Sequence, residues 1–304
     1  MRSQYTKRVK SLLFFLIWGG VFFTSGCNSD TPEPVIPSTP DPDEKLDQNI
    51  EKIKSANWNS LTVKNTIIWK YFHFNDLFSS KQFVNVLDID LSTSNLKIDI
   101  PYVRSGFLKT SDAALNTHAT AAINGSFFNT SVGGSTVFLK KNGEIIKYTN
   151  SGFTPYRENA GFAFNDNGAP EIVIRPTAGW SSLQYSNLLA SGPLLLLENE
   201  SVKQEEQAFN LNRHPRTAIG ITDDNRLIAV VVDGRNSESS GMTINELTIL
   251  MKALGCVDAM NLDGGGSSTM WVRNRGVVNH PSDNGVFDNQ GERGVATVIS
   301  FVVE

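Results

Sequence analysis

Residues Arg216 to Asp233 read RTAIGITDDNRLIAVVVD, two runs rich in β-branched residues on either side of the polar segment Asp223-Asp224-Asn225-Arg226. Such runs around a turn predict an antiparallel hairpin. Downstream, Thr243 to Leu254 places Ile244, Leu247, Met251 and Leu254 on one helical face, with Gly255 as its stop. A hairpin followed by a single amphipathic helix does not fit an alternating βαβ pattern. It predicts an α+β class, mostly antiparallel β-sheet with a few packed helices.

Other segments extend this reading. Phe83, Leu87, Ile89 and Leu91 share one face, while Leu96, Ile98 and Ile100 alternate with Lys97 and Asp99. The turn residues Ser92 to Asn95 between them predict a second hairpin. Ser111 to His118 has room for one or two helical turns before a strand over Ala119 to Asn124. Further strands are expected around 137–147, 160–165, 171–175 and 193–198, and at Val257–Leu262, Thr269–Val272 and Val295–Val303. Tyr148 to Tyr185 is the least legible stretch and carries no functional reading.

The first residues look like an export signal. Arg2, Lys7, Arg8 and Lys10 precede the apolar run Leu12 to Phe23, then Thr24-Ser25-Gly26-Cys27. The run is shorter than the roughly 20 residues a membrane-spanning helix needs. Cysteine directly after Ser-Gly resembles the lipobox of bacterial lipoproteins, which would make Cys27 the lipidated first residue. The expected organisation is a lipoprotein signal peptide over 1–26, a Pro/Ser/Thr-rich tether over 27–43, an amphipathic helix over 44–60 and a folded domain over 61–304. The expected location is the cell envelope: an exported lipoprotein of the outer membrane, periplasm or cell surface, held to the membrane through Cys27. Cys256 is the only other cysteine, so the mature chain has no intramolecular disulfide available.

With 40% hydrophobic residues the chain can build a large core, and its formal net charge is −4. Basic residues are scattered outside the N-terminal cluster, which argues against a nucleic-acid partner. A phosphate-bearing ligand would have to meet locally placed Arg side chains or backbone N–H groups.

Several segments are candidates for that role. If the hairpin turn centres between Asp224 and Asn225, Arg216 lies opposite Asp233, close enough for guanidinium and carboxylate to meet. This is either a sheet-edge salt bridge or a carboxylate aiming an Arg fork at an anion. Asp233-Gly234-Arg235 ends an apolar strand, where functional loops begin. Thr243 with Glu246 forms a capping box, although a carboxylate in the first turn is also placed to reach a neighbouring cleft. Asn261-Leu262-Asp263-Gly264-Gly265-Gly266-Ser267-Ser268 is more telling. Three successive glycines cost conformational entropy and add no packing, but they let backbone N–H groups converge as an anion nest, with two hydroxyls beside it. No Gly-Lys-Ser/Thr follows, so it is not a nucleotide P-loop. Asn124-Gly125-Ser126-Phe127-Phe128 would set an exposed aromatic beside Asn for a sugar ring. His280, in the loop before the last strand, ranks last. The chain has only four histidines, scattered and without metal-ligand spacing, so neither metal nor cofactor is expected.

Together these pieces resemble the phosphodiester glycosidase family. The matching segments are Ala122–Phe128, Ser191–Pro193, Pro215–Gly220, Val232–Arg235, Gly241–Glu246, Asn261–Ser268 and Gly291–Arg293. Coverage runs from about Leu61 to the C-terminus. Ser126 departs from the pattern, where the family more often has glycine. The resemblance implies hydrolysis of a sugar-1-phosphodiester, releasing the sugar and leaving a phosphate monoester, with a phosphorylated glycan as the partner. Arg216, Gly264–Gly266 and Ser267 would bind the phosphodiester. Asp233, Glu246 and Asp263 are the available carboxylates, and Asn124, Asn261 and Arg235 would orient sugar or phosphate oxygens; Gly125 and Ser268 complete the expected binding set. The competing readings are a phosphodiesterase that cleaves P–O and a non-catalytic lipoprotein that binds phosphorylated glycans.

Overall fold

The structure is a computed structural model that describes residues 42–166 and 168–304. The signal peptide, Cys27 and nearly all of the tether lie outside the described residues. Helix Pro42–Lys54 opens the fold and stops short of the expected helix end at residue 60, where strand Asn59–Lys64 has already begun. The Trp58 indole folds back to donate to the Ile53 carbonyl at 3.1 Å.

All three sheets are antiparallel, as the sequence predicts. The largest has eight strands, in the order Asn59–Lys64, Ile67–Leu77, Ser80–Asp90, Arg226–Val232, Arg216–Thr222, Cys256–Asn261, Leu194–Leu197 and Glu200–Ser201. Two five-stranded sheets accompany it. One is Glu144–Lys147, Leu139–Lys141, Asn187–Ser191, Ala160–Phe164 and Glu171–Ile174; the other is Gly276–Val277, Met270–Val272, Ala121–Asn124, Val298–Val303 and Leu96–Asp99.

The run RLIAVVV lacks polar alternation because both its faces are covered. Leu227, Ala229 and Val231 join a cluster with Ile123, Phe162 and Phe301 of the smaller sheets. Ile228, Val230 and Val232 pack with Ile53 and with Ile244, Leu247 and Met251 of helix Ile244–Ala253. Successive strand residues point to opposite faces, so one short strand feeds two cores. The helix starts at the expected capping box: Thr243 Oγ1 accepts from Glu246 N at 3.1 Å, and Glu246 Oε2 accepts from Thr243 N at 2.9 Å.

Two expected pairings are corrected. Strand Ser80–Asp90 is flanked by Ile67–Leu77 and Arg226–Val232, so it cannot pair with Leu96–Asp99; that strand joins Val298–Val303 in another sheet. Asp90 turns the chain away by accepting from Ser92 N at 2.9 Å and Ser92 Oγ at 2.6 Å. Within the hairpin, Arg216 pairs with Val232 and not with Asp233. Asn225 adopts φ 61° and Thr222 Oγ1 accepts from Arg226 N at 3.0 Å, which centres the turn on Asp224. That one-residue slip changes which side chains share a face, and the Arg216–Asp233 ion pair does not form.

Phe162 is fully buried where the eight-stranded sheet meets its neighbours. Phe162→Ala is expected to cost about 3–5 kcal/mol, read from the midpoint of urea unfolding; a loss below about 1 kcal/mol would contradict this packing.

Candidate active site

Three chain segments meet at the glycine-rich turn. Asp263 N donates to the Gly125 carbonyl at 3.1 Å, and Gly265 N to the Pro215 carbonyl at 2.8 Å. Gly264 N donates to Asp263 Oδ1 at 3.0 Å. Two of the three glycine N–H groups are therefore used within the protein, and the expected open anion nest is corrected. The glycines serve close packing. A Cβ on Gly264 would lie 2.7 Å from the Pro215 carbonyl oxygen. Gly265 has φ 64°, with the Arg235 guanidinium 3.0 Å from its would-be Cβ. A Cβ on Gly266 would collide with Asp283 and sit 2.6 Å from Arg293 Nη2. Without side chains the turn lets arginines close on it from two sides.

The most informative of the site arginines was not singled out by sequence. Arg157 lies within the 3-10 turn Pro155–Glu158, inside the stretch that reads poorly. Its guanidinium carbon lies 4.3 Å from the Phe127 ring centroid and 4.4 Å from that of Phe209. It makes no ion pair among the described residues, and its buried Nε has no hydrogen-bond partner. Burial pushes its pKa down, while the charge of Asp263 pulls it back up. A lone Arg in irregular chain has no motif to mark it. The expected exposed aromatic beside Asn124 is corrected as well: Phe127 and Phe128 are buried, and Phe127 serves as a face for Arg157.

Arg216 is the largest fully buried side chain. Its Nε donates to the Met242 carbonyl at 2.8 Å, and Nη2 to the carbonyls of Phe209 and Asn212 at 2.7 and 2.9 Å. Burial, then Arg157 and Arg235, push its pKa down to about 10, so it stays cationic at neutral pH. Arg235 is exposed, has φ 63° and rests against Gly265. His214 stands beside this cationic group. Burial, Arg216 and Arg235 all lower its pKa, which favours the neutral imidazole.

Asp263 is the carboxylate that faces these cations. Burial raises its pKa, against the opposing pull of the Ser267 hydroxyl, Arg157, the Gly264 N–H and Arg293. The other two candidate carboxylates are engaged elsewhere. Asp233 is buried and accepts from Asn279 Nδ2 at 2.9 Å and from His280 N at 3.0 Å, with His280 Nδ1 2.8 Å away. Glu246 caps its helix and is bound by Arg213 Nε at 3.0 and 3.2 Å. Asn124 Nδ2 donates to the Asp263 carbonyl at 2.8 Å, and Asn261 Nδ2 donates to those of Gly192 and Leu262 at 2.8 and 2.6 Å. Both asparagines are fully buried; Asn124 Oδ1 is held by Thr217 and Thr269, whereas Asn261 Oδ1 has no hydrogen-bond partner. Gly125 has the Thr297 carbonyl oxygen 2.8 Å from its would-be Cβ, so it too is a packing glycine. Ser126, the departure from the family pattern, fits by donating its hydroxyl to the Ala190 carbonyl at 2.6 Å. Ser267 and Ser268 are buried, and the Ser268 hydroxyl has no partner.

A phosphodiester glycosidase family model matches residues 117–302, more than half of the chain. The chain belongs to this family. Among curated relatives, the mouse N-acetylglucosamine-1-phosphodiester alpha-N-acetylglucosaminidase is 29% identical over 189 residues, covering 57% of this chain and 35% of its own. A prophage-derived uncharacterized protein of Bacillus subtilis is 34% identical over 111 residues, 30% of this chain and 17% of its own. The matches thus span about a third or less of those proteins. In fold, the chain is similar to the zebrafish N-acetylglucosamine-1-phosphodiester alpha-N-acetylglucosaminidase catalytic domain auto-inhibited by its pro-peptide, with a TM-score of 0.63 and 21% identity over 82% of this chain and 85% of that one. A hypothetical protein from Synechocystis gives a TM-score of 0.62 at 15% identity, over 82% of this chain and 64% of its own.

The raised pKa of Asp263 has a consequence for stability. A carboxyl that holds its proton more tightly when folded stabilises the native state below its ordinary value of 3.8, and that contribution is lost as pH rises through the folded value. Asp263→Asn is therefore expected to be more stable than wild type at neutral pH, with the gap closing below pH 3.8. Urea unfolding across pH measures this, and a variant less stable at neutral pH would contradict the assigned environment.

Proposed function

We propose that this phosphodiester glycosidase hydrolyses a sugar-1-phosphodiester at the sugar C1–O bond, releasing the free sugar and leaving the phosphate as a monoester. The observation that carries the reading is Arg157: a guanidinium stacked on two phenyl rings, without an ion pair among the described residues, and near enough to Asp263 to feel its charge. A cation held by ring faces keeps its N–H donors for a ligand. Arg157 and Arg235 take the phosphodiester oxygens, and Arg216 adds its charge from behind through fixed bonds to backbone carbonyls. Negative charge grows on the departing phosphate as the C1–O bond breaks, which is where preorganised donors act most strongly.

Asp263 works at the anomeric carbon, as a base on water or as the nucleophile. In either case the water oxygen ends on C1 and the phosphate leaves with the bonding pair. Partial burial among cations suits this: the carboxylate is poorly solvated and the substrate completes its neutralisation. Its function requires the ionised form, so the acid limb of kcat/KM is expected above the ordinary carboxyl value of 3.8.

Turnover of a GlcNAc-1-phosphodiester in ¹⁸O-labelled water is expected to place the label on the sugar C1 hydroxyl. Label in the phosphate would overturn the reading in favour of P–O cleavage. Arg157→Ala is expected to lower kcat/KM about 10²–10³-fold, with partial recovery in Arg157→Lys. Binding without turnover by wild-type protein across a panel of sugar phosphodiesters would favour a non-catalytic glycan binder.

We also infer that the enzyme works at the cell envelope on a phosphorylated glycan, held by a lipid on Cys27. The support is the basic–apolar–small pattern of residues 2–27. Cys27→Ser is expected to move the protein from the membrane to the soluble fraction, and continued sedimentation with membranes would contradict the anchor.

A further inference from the structure

A groove of about 770 Å³ lies beside the glycine turn, lined in part by Phe107, Lys109, Asp112, Phe128, Asp283 and Arg293. Its size is within the roughly 300–1,000 Å³ typical of small-molecule sites. It adjoins the candidate active site through Asp283 and Arg293, the two side chains that close on Gly266. Arg293 is close enough for its charge to act on Asp263.

Phe107 is the unusual member. Its side chain is 49% exposed, yet the chain around it is fixed. Leu108 N donates to the Val295 carbonyl at 2.8 Å, Val295 N returns to Leu108 at 2.9 Å, and Gly106 N donates to Val132 at 2.9 Å. The Phe128 ring meets it edge-on, with centroids 6.0 Å apart and planes at 79°. Gly294 makes the placement possible, since a Cβ there would sit 2.8 Å from the Phe107 Cβ. The groove wall behind is tied down as well, with Ser111 N and Oγ donating to Glu292 at 2.8 and 2.6 Å. A large apolar ring held in position but left open to water is preorganised for an apolar face on a ligand.

The charges of the groove select the kind of ligand. Lys109 and Arg293 are balanced by Asp112 and Asp283, and Arg293 is already paired with Asp283 through its Nε at 2.7 Å. This favours a neutral group over a second phosphate. A pyranose offers such a group: a C–H face for the ring and hydroxyls for the polar rim. We propose that this groove is a subsite for a neutral sugar unit of the substrate, beyond the scissile phosphodiester and stacked on Phe107. The proposal rests on the sugar-phosphodiester reading above and narrows the substrate to a glycan longer than one sugar on each phosphate.

The test compares two GlcNAc-1-phosphodiesters, one of methanol and one of a neutral trisaccharide. Wild-type protein is expected to show a higher kcat/KM on the trisaccharide diester. In Phe107→Ala the ratio of the two values should fall about five- to ten-fold, while Phe107→Trp should retain it. Equal values for both diesters in wild type, or an unchanged ratio in Phe107→Ala, would overturn the subsite. If neither diester is turned over, the activity proposal fails, and the groove is tested separately. Titration of the phosphate-free trisaccharide followed by ¹⁵N-resolved NMR should then move resonances around Phe107 in wild type but not in Phe107→Ala. No shifts in wild type would overturn it.

Discussion

The carboxamide of Asn124 links the two sheets that frame the site to the loop carrying Asp263. Nδ2 donates to the Asp263 carbonyl at 2.8 Å, while Oδ1 accepts from Thr217 Oγ1 at 2.7 Å and from Thr269 N at 3.0 Å. Asn124 ends a strand of one five-stranded sheet, Thr217 lies in the eight-stranded sheet, and Asp263 follows the strand beside it. Asn124, Thr217 and Thr269 are buried, and Asp263 is half-buried. A buried amide deprived of partners costs about 1–3 kcal/mol, which this network avoids by giving both ends of the carboxamide a partner. The position of the Asp263 backbone is thereby fixed by the contact between two sheets, and not by the loop itself.

On that frame the site gathers cations against a protein whose net charge is −4. Arg216 is immobilised by three backbone carbonyls and shielded by Phe209, whose ring centroid lies 4.8 Å from its guanidinium carbon. Arg157 lies across the other phenyl contacts with its nitrogen donors unspent. Burying several guanidiniums together is unfavourable without an anion, and the lowered pKa values of Arg157 and Arg216 express that cost. Asp263 supplies part of the compensation but is itself poorly solvated. An anionic ligand would offset that cost, which agrees with the phosphodiester proposed as substrate.

What was legible in the sequence follows from what patterns encode. Runs such as RLIAVVV and the stripe Ile244–Leu247–Met251 report periodicity and burial, so the strands, the helix and its cap could be read. Periodicity does not specify neighbours, which is why Leu96–Asp99 was expected beside Ser80–Asp90 when it pairs with Val298–Val303. Nor does it fix register: a single left-handed Asn225 moved Arg216 from opposite Asp233 to opposite Val232. The glycine triplet attracted attention for a reason that is only partly physical here. Its N–H groups are largely spent, and the demand for glycine comes from Pro215, Arg235, Asp283 and Arg293, which are distant in sequence from one another and from the turn. Arg157 had no signal at all, because its character comes from two aromatic rings brought from Phe127 and Phe209 by the fold.

The three carboxylates that looked equivalent in sequence separate on one physical criterion, the supply of donors. Asp233 is saturated: Asn279, the His280 backbone and the His280 ring all reach it. The His280 ring is further held by stacking on Phe287 at 3.8 Å between centroids. Glu246 divides its oxygens between a helix N-terminus and Arg213. Asp263 has one backbone donor, from Gly264, and a raised pKa because burial outweighs everything that would hold it down. A carboxylate left under-solvated where two sheets have been locked together is costly to the fold, a cost that the role proposed for Asp263 would account for. That asymmetry singles out Asp263 without reference to its place in a motif.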